Sequence, residues 1–220
     1  MSLLSRPIRQ IYAIALIAGT ISLALSLGRG AADTVPDGPV LATDLKSLSE
    51  FQSIGDVGDR SRALFAEAAK VLTHPRCINC HPVTRMPTQG DDMHPHMPFM
   101  NATESRIGAA GIACSTCHRA QNTTIVGSRL RSVPGNAHWS LAPSSMAWQG
   151  LSVGEICQQL KDPKRNGNRD LAKIHSHVTE DHLVEWAWHP GDGRRPAPGT
   201  QAEFGALINA WIETGAECPS

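Results

Sequence analysis

Apolar residues recur every three or four positions over residues 59–73, which is the spacing of one face of a helix. The apolar positions in this stretch are Leu64, Phe65, Ala68, Ala69, Val71 and Leu72. Because Pro75 interrupts the pattern, a helix is predicted up to Thr73. Residues 33–58 are rich in Gly, Pro, Ser and Asp and have weak periodicity. They are predicted to form a linker, with a short helix in part of it as the alternative.

Two further helices are predicted in the last third of the chain before its final segment. Ser152 and Glu155 have the spacing of a capping box, which opens a helix over residues 152–161. Thr179 is predicted to cap a short helix over residues 179–188, because Pro and Gly follow directly after it.

The final helix has the clearest pattern in the chain. Thr200 with Glu203 forms a second capping box, and Gly215 is the predicted end of the helix. One apolar face is formed by Phe204, Leu207, Ile208, Trp211 and Ile212.

Long irregular stretches separate these helices, over residues 83–113 and 120–150. A loop of such length inside a compact domain is unusual unless a bound group orders it. The predicted fold class is therefore mainly α with extensive irregular loops, in one domain over residues 59–220.

Residues 1–32 have the pattern of an export signal. Arg6 and Arg9 provide a positively charged start, residues 11–27 are uncharged and mostly apolar, and small residues follow for a peptidase. Cleavage is expected; the alternative is an N-terminal membrane anchor, since the run is near the shortest that spans a bilayer, about 17 residues. In either case the rest of the chain is predicted to be periplasmic, in an oxidising compartment.

The pattern Cys-x-x-Cys-His occurs twice, at residues 77–81 and 114–118. Two thiols at this spacing can form thioethers with the two vinyl groups of one porphyrin, and the adjoining histidine then binds the iron. The pattern therefore predicts two covalently bound haem c groups. The predicted binding residues are Cys77, Cys80, His81, Cys114, Cys117 and His118, with the two histidines as proximal iron ligands.

Zinc binding and redox chemistry are the alternatives for paired cysteines. A four-thiolate zinc site would need no histidine beside each pair, and a thioredoxin-like dithiol would need a βαβ setting that the sequence does not indicate. Two copies of the motif, each with its histidine, behind an export signal favour haem.

Cys157 and Cys218 remain from the six cysteines of the chain. An even pair in an oxidising compartment predicts a disulfide, and two unpaired buried thiols are the alternative. Neither cysteine belongs to another attachment motif, so a third haem is not supported.

The second axial ligand of each iron must come from the remaining residues. His96 and His138 are the predicted distal ligands, since they lie in the irregular stretches beside the motifs. His94 and Met146 are the alternatives, together with Met97 and Met100. The histidines expected at the surface are His175, His177, His182 and His189.

Charge and composition limit the classes of partner that the protein can bind. The formal net charge is zero, and removal of residues 1–32 with their three arginines would leave the mature protein slightly acidic. No basic stripe interleaved with aromatic residues is present, so a nucleic-acid partner is not expected. A membrane contact is expected only if residues 1–32 are retained.

Much of the span from about residue 64 to residue 219 resembles small dihaem c-type cytochromes, of the kind labelled isoquinoline 1-oxidoreductase subunits. The stretches that carry the resemblance are LFAEAAKVLTHPRCINCHP, TQGDDMHPHMP, HWSLAPSSMAWQG, EICQQLKDPKRNG and PAPGTQAEFGALINAWIETGAECP. The helix before the first motif is also similar to that of small class I cytochromes c. The resemblance implies a cytochrome c-like dihaem domain that accepts electrons from a periplasmic molybdenum hydroxylase and passes them to a downstream cytochrome or terminal oxidase.

Two functions are weighed on this basis. The first is electron transfer by a protein that is not itself an enzyme, with two six-coordinate haems. The second is a dihaem cytochrome c peroxidase-like enzyme, in which one iron keeps an open position and a nearby acid assists. Glu104 and Glu155 are the acids available for that role.

Overall fold

Six α-helices form the framework of the part of the chain that the computed structural model describes, which is residues 43–102, 112–124 and 132–220. The helices are α1 (Val57–Leu72), α2 (Pro75–Ile78), α3 (Val153–Lys161), α4 (Leu171–Glu180), α5 (His182–Glu185) and α6 (Gln201–Glu213). The prediction of a mainly α fold is confirmed. The export segment and Glu104 lie outside the described residues. Within those residues, no helix has the length and apolar character needed to cross a membrane.

Helices α1 and α6 pack against each other in the core. Asp56 caps α1 and Thr200 caps α6, each by accepting a hydrogen bond from the backbone N–H three residues further on. The rings of Phe65 and Trp211 meet between the two helices with their centroids 4.8 Å apart, and both side chains are fully buried. Burial of side chains of this size contributes about 2–3 kcal/mol each. Both helices lie where the apolar spacing predicts them.

Helix α3 opens with the predicted capping box. The Ser152 hydroxyl accepts from the Glu155 backbone N–H (3.2 Å), and the Glu155 carboxylate accepts from the Ser152 backbone N–H (2.7 Å). The buried Cys157 of this helix forms a disulfide with Cys218, and the two Cα atoms lie 5.6 Å apart. The predicted disulfide is confirmed, and it ties α3 to the C-terminal segment.

The prediction of a helix that begins at Thr179 is wrong. Thr179 lies inside α4, where its hydroxyl donates to the His175 carbonyl (2.8 Å). Asp170 caps α4, and Asp181 caps α5 by accepting from the Leu183 backbone N–H (2.8 Å). Aspartate is the stronger capping residue of the two types, so the two aspartates set these helix starts.

The described residues of the stretches beside the two motifs are mostly irregular, as predicted. Two short antiparallel pairs occur in them: β1 (Thr88–Gln89) with β2 (His94–Pro95), and β3 (Thr123–Thr124) with β4 (Ser132–Val133). Short 3-10 helices lie at Leu48–Phe51, Cys114–Thr116, Ser144–Met146 and Trp186–Trp188.

Residues 43–56 pack against the helices. The sequence pattern predicts a linker here, with a short helix in part of it as the alternative, and a short 3-10 helix lies at Leu48–Phe51. Phe51 is buried in the core. The backbone N–H of Lys46 donates to the Glu67 carboxylate (2.9 Å), and the Gly199 N–H donates to the Thr43 carbonyl (3.0 Å). A single buried aromatic side chain in a polar stretch leaves no periodic signal, which is why the pattern misses it.

Candidate cofactor sites

The first Cys-x-x-Cys-His motif spans the end of α2 and the turn after it. The Nδ1 atom of His74 accepts from the Arg76 backbone N–H (3.2 Å) and so caps the helix. The Cys80 backbone N–H donates to the Cys77 carbonyl (3.0 Å), which winds the motif into a turn. Both cysteines therefore line the same cavity as His81.

His81 is held by one ring nitrogen and one ring face. Its Nδ1 atom lies 2.7 Å from the Met146 carbonyl, and its ring stacks on Trp148 with centroids 3.6 Å apart and planes 7° apart. Burial lowers the pKa of His81 to about 4, so the ring is neutral near pH 7. A neutral imidazole whose Nδ1 is fixed by a carbonyl presents Nε2 for metal binding.

The cavity beside this motif has a volume of about 430 Å³, which lies in the range of small-molecule and cofactor sites, about 300–1,000 Å³. Its polar lining includes His81 as well as His177 and Asp181, and most of its apolar lining comes from α1, α4 and α6. The apolar lining from these three helices is Val71, Leu72, Ile174, Val178, Phe204 and Ile208. An apolar cavity with two thiols and an imidazole at one end fits a porphyrin.

Arg76 adds a buried cation to the wall of this cavity. Its side chain is 2% exposed and pairs with Asp91, which also accepts from the Nε of Arg195 (3.0 Å). The Arg76 Nε finds no hydrogen-bond partner among the described residues. A buried guanidinium with an unused donor suits an anionic substituent such as a haem propionate. The donors around the first motif thus fit a haem group.

The second motif is built in the same way on a 3-10 helix. The Nδ1 atom of His118 lies 2.8 Å from the Pro134 carbonyl, and its ring stacks on Trp139 with centroids 4.6 Å apart and planes 9° apart. Burial lowers the pKa of His118. The backbone at Gly135 packs directly against the backbone at Gln121, and only glycine fits there because a Cβ would collide with the Gln121 carbonyl. The segment around residues 134–148 therefore supplies the carbonyl and the stacked tryptophan at both motifs.

His96 lies beside His118, with ring centroids 5.9 Å apart. An iron that binds one nitrogen of each ring at about 2 Å would separate the centroids by about 6 Å. The Nδ1 atom of His96 lies 2.8 Å from the Pro98 carbonyl, which fixes the ring and leaves Nε2 for a ligand. The structure thus brings together His96 and His118 at the spacing of two axial ligands.

The other predicted distal ligands have different surroundings. His94 lies in β2, with Nδ1 2.6 Å from the Asp92 carboxylate and Nε2 3.1 Å from the Gln89 amide. His138 is exposed and lines the cavity of the first motif. Met146 is buried, and its carbonyl contacts Nδ1 of His81, the nitrogen that would face away from the iron.

His177 differs from the sequence expectation of a surface residue. It is half-buried on α4 and lines the same cavity as His81. Its Nδ1 atom lies 3.0 Å from the Asp181 carboxylate, one helical turn further on. The sequence carries a signal for this position, because Ile174 and Val178 show that this face of the helix is buried.

The other histidines of this region lie outside the cavity. His175 and His189 line a separate depression of about 660 Å³ that contains neither motif, and His182 is exposed beside Glu185.

The thiols of the first motif are poorly suited to redox or zinc chemistry as they stand. Burial raises the pKa of Cys77 to about 12 and that of Cys80 to about 11. Reactive dithiols have a lowered pKa, and zinc binds thiolates. Among the described residues, no cluster of three or more His, Cys, Asp or Glu side chains is arranged to hold a metal ion.

Comparison of the chain with protein-family models, curated proteins and solved structures finds no match. The argument for function therefore depends on the two sites themselves.

Proposed function

We propose that this protein is a periplasmic c-type cytochrome that carries two covalently bound haem groups and transfers electrons. The main support for the proposal is that the histidines of the two Cys-x-x-Cys-His motifs make the same kinds of contact. In each, the histidine Nδ1 meets a backbone carbonyl and the ring stacks on a tryptophan. When bound, each haem would supply an iron that gains and loses one electron.

The residues of the chain would bind, orient and shield these groups. Cys77 and Cys80 would attach the first haem, and Cys114 and Cys117 the second. The carbonyls of Met146 and Pro134 hold the histidine of each motif in one tautomer, which would leave Nε2 of each ring to bind an iron. The apolar walls from α1, α4 and α6 would exclude water from the first haem, which stabilises one coordination state during electron exchange.

Trp139 supports transfer between the two sites. Its ring stacks on His118 of the second motif, and the same side chain lines the cavity of the first motif. It also meets Trp186, another residue of that cavity lining, edge to face with centroids 5.0 Å apart. Trp139 therefore belongs to both sites, which supports electron exchange between two haems bound there.

The surroundings of the second motif favour electron transfer over the peroxidase alternative. Peroxide chemistry needs an open iron position with a distal acid or base. At this motif, His96 and His118 have ring centroids 5.9 Å apart, a spacing at which both rings would bind one iron. Glu155, one of the two acids considered from the sequence, is exposed and occupied as the capping residue of α3.

The partners follow from the resemblance and remain part of the proposal. The electron donor would be a periplasmic molybdenum hydroxylase, and the acceptor a downstream cytochrome or terminal oxidase. The chain would thus act as the cytochrome subunit of an oxidoreductase system.

Two assays on the exported holoprotein test the proposed function. Potentiometric titration followed by absorbance is expected to show two one-electron transitions. Peroxide consumption with a reduced cytochrome as donor is expected to stay at the level of the buffer control. Turnover of peroxide, together with a high-spin ferric signal from one haem, would instead support the peroxidase alternative.

A further inference from the structure

Helix α4 presents one face to the cavity of the first motif. Ile174, His177 and Val178 lie three and four positions apart, so they share a helix face, and all three line the cavity. Ile174 is 1% exposed and Val178 is 9% exposed. His177 lies between them on this face and is half-buried, with 31% of its side chain exposed.

Asp181 holds the His177 ring. The Nδ1 atom of His177 lies 3.0 Å from the Asp181 carboxylate, which occupies Nδ1 and leaves Nε2 available. A carboxylate on the outer nitrogen is a common support for a metal-binding histidine, since it fixes the tautomer and increases the basicity of the inner nitrogen. Asp181 is itself fixed by its role as the cap of α5.

His177 and His81 line one cavity from different parts of the fold, since His81 lies in the turn after α2 and His177 lies on α4.

The competing residues are less suited to the same position. Met146 also lines the cavity, but its carbonyl contacts Nδ1 of His81, so this residue already supports the proximal ring. His138 lines the cavity but its side chain is exposed.

We propose that His177 is the second axial ligand of the haem at the first motif and that Asp181 positions it. The inference rests on the proposed dihaem function. It makes both haems bis-histidine centres, His81 with His177 and His118 with His96. The two centres differ in their outer partners, because His177 contacts a carboxylate whereas the other three rings contact backbone carbonyls. A carboxylate partner stabilises the ferric state, so Asp181 would lower the reduction potential of the first haem.

Low-temperature EPR of the oxidised holoprotein tests the assignment. His177→Ala is expected to convert one of two low-spin ferric signals to high spin, and His177→Gly is expected to recover the low-spin signal when imidazole is added. His175→Ala, two residues earlier on the same helix and outside the cavity, is the matched control and should keep both signals. Asp181→Asn is expected to keep both haems low spin and to raise one of the two reduction potentials.

Haem content of every variant is measured first by the pyridine haemochrome assay. A wild-type protein without haem would refute the proposed function as a whole. Two haems with both low-spin signals intact in His177→Ala would overturn the ligand assignment alone, as would a high-spin signal produced by His138→Ala in its place. Should His177→Ala not accumulate, His177→Met decides the question, because methionine ligation raises the potential of one haem and no such change is expected if His177 is not a ligand.

Discussion

The rings of His96 and His118 lie with their centroids 5.9 Å apart, and the Nδ1 atom of each is held by a proline carbonyl. His96 follows β2 and His118 closes the second attachment motif, so 22 residues of sequence separate two rings that meet in space. Both rings are therefore oriented by the backbone before any metal is considered, which is the arrangement expected of axial ligands.

His96→Ala is expected to open one position at the second iron. One haem should become high spin in the oxidised protein, and cyanide should then bind to that haem. Absorption spectra with and without cyanide measure the change. His94→Ala is the matched control, since this ring is held by Asp92 and Gln89 in the short β1–β2 pair. Unchanged spectra in His96→Ala would show that another residue is the second axial ligand of the iron at the second motif.

Arg76→Gln is expected to lower the reduction potential of one haem. The guanidinium is buried in the wall of the first cavity, and a positive charge there favours the state that has gained an electron. Potentiometric titration measures the shift. Arg195→Gln is the matched control. Arg195 pairs with the same Asp91 carboxylate, but it is half-exposed and lies outside the cavity lining, so the loss of its charge should shift the reduction potential much less. Equal shifts in both variants would argue against a haem next to Arg76.

Removal of the disulfide by Cys157→Ala with Cys218→Ala is expected to destabilise the fold without loss of haem. The bridge spans 61 residues, and on a chain-entropy treatment a loop of this size contributes about 4 kcal/mol. Chemical denaturation measures the loss, and the haem content should stay at that of the wild type. Loss of haem in this variant would mean that the bridge is needed for attachment.

His74 is expected to make stability depend on pH below neutrality. Burial lowers its pKa to about 4 from 6.5, so the unfolded chain takes up a proton that the folded chain does not. The free energy of unfolding should therefore fall as the pH decreases from about 6.5 to about 4, by at most about 3 kcal/mol. His74→Asn keeps a capping side chain and removes the titrating ring, so its stability should depend less on pH over that interval. The measurement is the free energy of unfolding as a function of pH for the wild type and His74→Asn. Parallel curves for these two proteins would show that His74 does not cause the pH dependence.

The sequence predicts the framework well where the signal is local. Ser152 with Glu155 marks the start of α3, Thr200 marks α6, and the two unassigned cysteines form the disulfide. Each of these depends on residues a few positions apart or on simple pairing. The start of α4 was missed because Asp170 and Asp181 compete with Thr179 as capping residues, and the sequence alone does not rank them in context.

The candidate sites were predictable in part. The attachment motifs are local in sequence, but the partners of their histidines come from far along the chain. The Met146 carbonyl that meets His81 is 65 residues away, and backbone carbonyls leave no mark in the sequence. His177 was assigned to the surface because its partner Asp181 is common and its burial depends on how α4 packs on α6.

The intact mass of the exported protein after denaturation shows whether the two haems are covalently attached. The polypeptide is expected to carry the mass of two haems, with one fewer in the variant Cys77→Ala with Cys80→Ala and one fewer in Cys114→Ala with Cys117→Ala. A colourless wild-type protein with the mass of the bare polypeptide, exported from a host that matures other c-type cytochromes, would contradict the proposed function.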